Sequence, residues 1–145
     1  MKVAEVKVVY STLVKNSERA KIVSSEKAYE ILQPFYEENM DYKESAYVIL
    51  LNRGNKVIGV NKISEGGLSQ TVIDAKMVFQ VALLAGASAI ILSHNHPSGN
   101  KLPSDADVQL TKQIKEFGNM IELQLLDHII MTSEEYYSFA DNGII

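Results

Sequence analysis

Residues 88–93 read Ser-Ala-Ile-Ile-Leu-Ser, a strand-length run with no charge that empties directly onto a histidine. Such a run belongs in a core, because a strand that is apolar on both sides has to be covered on both sides. Residues 45–51 (Ser-Ala-Tyr-Val-Ile-Leu-Leu) carry the same demand. The chain must therefore supply helices to lie against a sheet. Ser24 or Ser25 can cap a helix running to about residue 39, with Ala28, Ile31, Leu32 and Phe35 on one face and Pro34 as a point of kinking or early ending. Asp74 can cap a second helix that ends at Gly86. Val78, Val81, Leu83 and Leu84 make it apolar nearly all round, which predicts burial. Ser104 opens a third, amphipathic helix to about Phe117, stopped by Gly118.

The strands follow from the same pattern. Residues 3–10 alternate loosely and read as a first strand. Residues 11–24 are polar and read as a loop. Arg53-Gly54-Asn55 is a turn, which makes 56–63 the second arm of a hairpin with 45–51. Residues 121–131 form a last long strand. Tyr136, Tyr137 and Phe139 beyond it are expected to pack on the body. The order is β-α-β-β-α-β-α-β, an α/β fold: an α-β-α sandwich around a mixed β-sheet. At 145 residues, with 46% hydrophobic and 22% charged residues, the chain suits one domain, 1–145, without repeats or linkers.

Cysteine is absent, so disulfides, thiolate metal sites and cysteine nucleophiles are all excluded. A zinc deaminase is excluded with them, since its signature needs a Cys-x-x-Cys pair. Net charge is -4 and the basic residues are scattered, which argues against direct DNA binding. The longest apolar stretch, 78–92, is broken by Gln80, Gly86 and Ser88 and cannot span a membrane. The N-terminal residues lack a signal-peptide core, so a cytoplasmic setting is the expectation.

The chemistry gathers where the second core strand runs out. His94 and His96 alternate, so both imidazoles can face one point at the sheet's end, where open α/β sheets collect ligands. Pro97 and Gly99 bend the chain, which returns to Asp107 one turn into the next helix. Two imidazoles and one carboxylate make a three-ligand zinc site with a fourth position open for water. Read separately, Ser104-x-x-Asp107 resembles a helix capping box, with Asp107 favoured by the helix dipole. From the residues alone Asp107 is either ligand or cap, and the reaction is not assigned.

The spacing His-x-His, seven residues, Ser-x-x-Asp resembles the JAMM motif of JAB/MPN-domain metalloproteases. The wording His94-Asn95-His96-Pro97-Ser98-Gly99 with Pro103-Ser104 is similar to the RadC-like branch of that family. So are Leu126-Asp127-His128-Ile129-Ile130 and the ending Tyr136-Tyr137-Ser138-Phe139-Ala140-Asp141, and the likeness runs from about Glu44 to the C-terminus. It implies a JAB/MPN-like, cytidine-deaminase-like architecture. His94, His96 and Asp107 would be zinc ligands, Ser104 a hydrogen-bond donor to the oxyanion or the attacking water, and an upstream glutamate the general base. Glu44 fits that place because it precedes the 45–51 strand and its hairpin partner; Glu65 is the rival. His128 reads as a structural strand histidine.

Two features depart from the pattern. Ala75-Lys76-Met77 stands where many relatives have a Pro-Arg-Glu-type run, and the first 43 residues do not resemble the helix-hairpin-helix region of longer RadC proteins. The resemblance implies a zinc-dependent hydrolase of peptide or isopeptide bonds with a peptide or protein substrate. The alternatives are a non-catalytic scaffold and a DNA-repair or mobile-element accessory. Segments 64–72 and 97–103 would read the substrate, and apolar surface on the first strand or the aromatic tail could support a homodimer.

Overall fold

The computed structural model describes residues 1–9, 11, 13–66 and 73–145. Its elements in chain order are α1 (Ser25–Tyr36), β1 (Ser45–Leu51), β2 (Val57–Glu65), α2 (Ala75–Leu84), β3 (Ala89–Asn95), α3 (Asp105–Met120), β4 (Gln124–Met131) and β5 (Tyr136–Ser138), with one 3-10 turn at Asn16–Glu18. The described strands form one mixed sheet in the order β2-β1-β3-β4-β5. β1 pairs antiparallel with β2 and β3, β4 pairs parallel with β3, and β5 closes antiparallel on β4. The α-β-α sandwich is present.

The two apolar runs become the two central strands, and every residue of β1 and β3 is buried. Alternation splits them between two cores. Ala46, Val48, Leu50, Ile90 and Leu92 point to α2 and α3, where Val78, Phe79, Ala82 and Ile114 meet them. Tyr47, Ile49, Leu51 and Ile91 point to α1 and pack on Ala28, Leu32 and Tyr36. Residues on one side of a strand thus share a helix layer, which decides below which polar groups can meet.

Several expectations need correction. The described residues 1–9 form no strand, and Val3, Val6, Val8 and Val9 are exposed, so their alternation has no core to face; Tyr10 lies outside the described residues. The sheet gains instead a short fifth strand, β5, from the aromatic tail, whose Phe139 is fully buried. α1 continues through Pro34 and stops at Tyr36, and its buried face is Ala28, Leu32 and Tyr36, leaving Phe35 exposed. α2 has the expected Asp74 cap and a left-handed Gly86 beyond it. Only Val78, Phe79 and Ala82 are buried, however, while Met77, Leu83 and Leu84 face outward.

α3 also runs past the stop expected at Gly118. Gly118 lies inside the helix, which runs on to Met120, and the left-handed residue that stops it is Glu122 (φ 56°). Leu123 N–H donates back to the Gly118 carbonyl at 2.8 Å, the helix-ending bond of a Schellman motif. Gly118 is there for space: a Cβ on it would sit 2.3 Å from the Leu123 carbonyl oxygen. Helix propensity alone favours Gly→Ala by about 1 kcal/mol. Here Gly118→Ala is expected to destabilise by about 1–3 kcal/mol because the chain reversal must open. Chemical denaturation measures the sign, and a stabilised variant would refute the packing role.

Candidate metal centre

β3 runs past the expected end at Ser93 and delivers His94 as its sixth residue, whose backbone pairs with Ala46 of β1 and Ile130 of β4. His96 lies just past the strand, held by its N–H to the Met131 carbonyl at 3.0 Å. Both side chains lie on the α3 side of the sheet, as the alternation requires. Asp107 is the third residue of α3, and it meets them there.

The three donors converge. His94 Nε2 and His96 Nε2 are 2.9 Å apart, and each lies 3.5 Å from an Asp107 oxygen, Oδ1 and Oδ2 respectively. Among the described residues this is the group of His, Asp and Glu side chains whose ligand atoms could hold a metal ion. His96 Nδ1 faces the Asn100 carbonyl at 2.7 Å. A carbonyl can only accept, so that nitrogen carries the proton and His96 Nε2 keeps its lone pair. A proton carried on either Nε2, or a metal ion, can bridge the two imidazoles and the carboxylate. The donor set, two imidazoles and a carboxylate, suits zinc.

Electrostatics agree. Burial opposes charge on His96, yet the Asp107 carboxylate, the Asn100 carbonyl and Glu44 together raise its pKa. Burial likewise works against the Asp107 carboxylate, but hydrogen bonds from His94 and His96 and the Ser104 backbone hold it well below the usual carboxylate range.

Ser104 and Asp107 form the full capping box: the Ser104 hydroxyl accepts from Asp107 N–H at 3.1 Å, and Asp107 Oδ2 accepts from Ser104 N–H at 2.9 Å. Asp107 is therefore both a cap and a candidate ligand, using the helix start to aim its carboxylate. Ser104 accepts in the cap, which leaves its own hydroxyl proton available.

The two glutamates part company. Ala46 opposes His94, so Glu44, two residues earlier and half-buried, stands on the same face beside His96. Glu65 opposes Ser45, the neighbouring residue of opposite facing, and is exposed on the α1 side with Asn39 Nδ2 at 3.3 Å and Lys62 Nζ at 3.4 Å. Of the two proposed substrate-reading segments, 97–103 borders the triad, and residues 67–72 of the other lie outside the described residues.

Of the residues that brace the site, the sequence singled out His128 as structural and missed Asn95 and Thr111. Asn95 points away from its two histidine neighbours and is fully buried. Its Oδ1 accepts from Ser45 N–H at 2.7 Å, and its Nδ2 donates to the Met40 and Lys43 carbonyls, both at 2.8 Å. It thus clamps the segment that leads into Glu44. His128 and Thr111, both fully buried, stand behind His94. Burial, then the neighbouring His94, depresses the His128 pKa well below the ordinary histidine value. The signal for Asn95 was a polar residue at a strand position whose facing should be core; for Thr111 it was a helix position facing the sheet.

A family model described as RadC-like JAB domain matches residues 22–144, a longer stretch than the motifs alone indicated. Among curated relatives, a UPF0758 protein of Flavobacterium johnsoniae is 46% identical over 124 residues, covering 86% of this chain and 53% of that protein. A UPF0758 protein of Porphyromonas gingivalis is 38% identical over 128 residues, 88% of this chain and 56% of its own. One from Salinibacter ruber is 42% identical over 103 residues, 71% and 44%. The chain spans about half the length of the curated relatives it matches.

Removing the Asn95 clamp should be costly because it orphans a buried amide and several carbonyls. Asn95→Ala is expected to lose about 2–4 kcal/mol of stability, with faster hydrogen exchange at the Ser45 amide. Unchanged exchange at Ser45 would show that the clamp does not hold this segment.

Proposed function

The chain belongs to the RadC-like JAB domain family, and on that footing we propose that it is a zinc-dependent hydrolase of peptide or isopeptide bonds. The convergence of His94 Nε2, His96 Nε2 and the Asp107 carboxylate on one point carries the reading. These three would hold the zinc ion and leave a fourth position open. When bound, zinc supplies Lewis acidity and lowers the pKa of water towards about 7.

The chain's own groups divide the remaining work. The Glu44 carboxylate takes a proton from the attacking water and passes it to the leaving amine, as a general base and then acid. Its facing beside His96 supports this role, and Glu65 is disfavoured by pointing to the opposite layer. The Ser104 hydroxyl donates its unused proton where negative charge develops on the scissile carbonyl oxygen. Capping fixes that hydroxyl at the start of α3, so donation requires little rearrangement. A peptide or protein substrate would approach over residues 97–103. Among the described residues no helix is long and apolar enough to cross a membrane.

Metal analysis and a peptide screen that includes ubiquitin-like fusions test the proposal together. The wild-type chain should carry stoichiometric zinc, and the His94→Ala/His96→Ala variant should carry none; retention there would sink the ligand assignment. Glu44→Gln should keep the metal and lose about 10²- to 10⁴-fold in hydrolysis, the usual range for a general base. A fully active Glu44→Gln protein would remove Glu44 from the mechanism. Stoichiometric zinc without hydrolysis of any substrate in the screen would favour a binding role for the site.

A further inference from the structure

We propose that Thr111 and His128 are positioning residues that lock His94 into the tautomer able to ligate a metal through Nε2, an inference that rests on the metal reading of the site.

The chain of contacts starts at the helix backbone. Thr111 Oγ1 lies 2.6 Å from the Asp107 carbonyl and 2.6 Å from His128 Nδ1. A hydroxyl has one proton, and the carbonyl can only accept it. Thr111 therefore donates to Asp107 O, and His128 Nδ1 must be the donor in its own contact with Thr111. At the far side of the ring, His128 Nε2 lies 2.8 Å from His94 Nδ1. These two nitrogens share one proton. The His128 ring is fully buried against Thr111, His94 and Phe139, where a charge is costly, so it carries one proton; with that proton on Nδ1, Nε2 is bare and His94 Nδ1 donates to it. His94 Nε2 is then left with a lone pair, turned towards His96 Nε2 and Asp107.

Packing gives the relay its rigidity. Thr111 and His128 are fully buried, so no bulk water competes for these contacts. Phe139 stacks on the His128 imidazole with ring centroids 4.7 Å apart and planes 11° apart, fixing the plane in which both ring nitrogens lie. Metal-bound histidines usually donate their second N–H to a carboxylate, a carbonyl or water, and such partners tune affinity by about 10- to 100-fold. Here the acceptor is a second histidine, and its orientation comes from the helix that also carries the Asp107 ligand. The relay runs from the Asp107 carbonyl through Thr111 and His128 to His94, whose Nε2 faces the Asp107 carboxylate at 3.5 Å.

The test uses the full chain and two readouts. Long-range proton–nitrogen NMR of the metal-free protein at neutral pH should show His128 protonated on Nδ1 and bare on Nε2, and His94 protonated on Nδ1. A bare His94 Nδ1, or a proton on His128 Nε2, overturns the proposal. Zinc titration should then give a dissociation constant about 10- to 100-fold weaker for Thr111→Val, with Thr111→Ser restored to near the wild-type value. Equal zinc affinity in Thr111→Val and wild type also overturns it. The NMR result stands on the wild-type protein alone, so a poorly folding variant does not blunt the test. A wild-type chain that shows the expected tautomers but binds no zinc would refute the metal reading and leave the relay intact.

Discussion

β3 is hydrogen-bonded along both edges, antiparallel to β1 and parallel to β4, and every one of its side chains is buried. A one-residue slip of such a strand would carry each side chain to the opposite layer. His94 would face α1, and Asn95 would point at the start of α3. The register of this one strand thus sets the whole site. It puts His94 beneath α3, sends Asn95 to clamp the β1 approach, and leaves His96 to emerge where the Met131 carbonyl catches its amide. The surrounding apolar core holds that register, because a slip would have to repack both helix layers at once.

Most polar groups in this core are tied to partners, Ser45 Oγ being an exception. Asp127 shows the same economy away from the triad. Burial raises its pKa, but it accepts from Ser138 Oγ, Ala140 N–H and His128 N–H, tying the β5 tail back to β4. That tail in turn presents Phe139 to His128. The ending that looked like loose aromatic packing in the sequence is thereby one wall of the site's supporting structure.

What was legible in the sequence was what local rules govern. The β1 limits, the Asp74 and Ser104 caps, the Gly86 stop and the clustering of His94, His96 and Asp107 follow from periodicity, capping chemistry and spacing. What failed depended on partners distant in sequence. The alternating valines of residues 1–9 satisfied a strand pattern, but nothing covers them. Gly118 looked like a helix stop because glycine so often is one, whereas its reason is the return of Leu123 five residues later. Leu83 and Leu84 point away from the core because α2 lies on a layer rather than through one. Thr111 lies in no motif, and the motif that contains Asn95 does not say what its side chain does; only the fold shows that each is aimed at a functional segment.

The capping box at the start of α3 has a consequence for how such a site is filled. The Asp107 carboxylate accepts from Ser104 N–H, its backbone N–H donates to Ser104 Oγ, and both histidines are braced by partners within the chain, so the chain's own hydrogen bonds aim the cage. In small metallo-domains where the ion nucleates the fold, removing it unravels the chain. Here the scaffold owes its shape to the sheet and its two helix layers. An ion held there would be closer to a bearing seated in a housing than to the keystone of an arch.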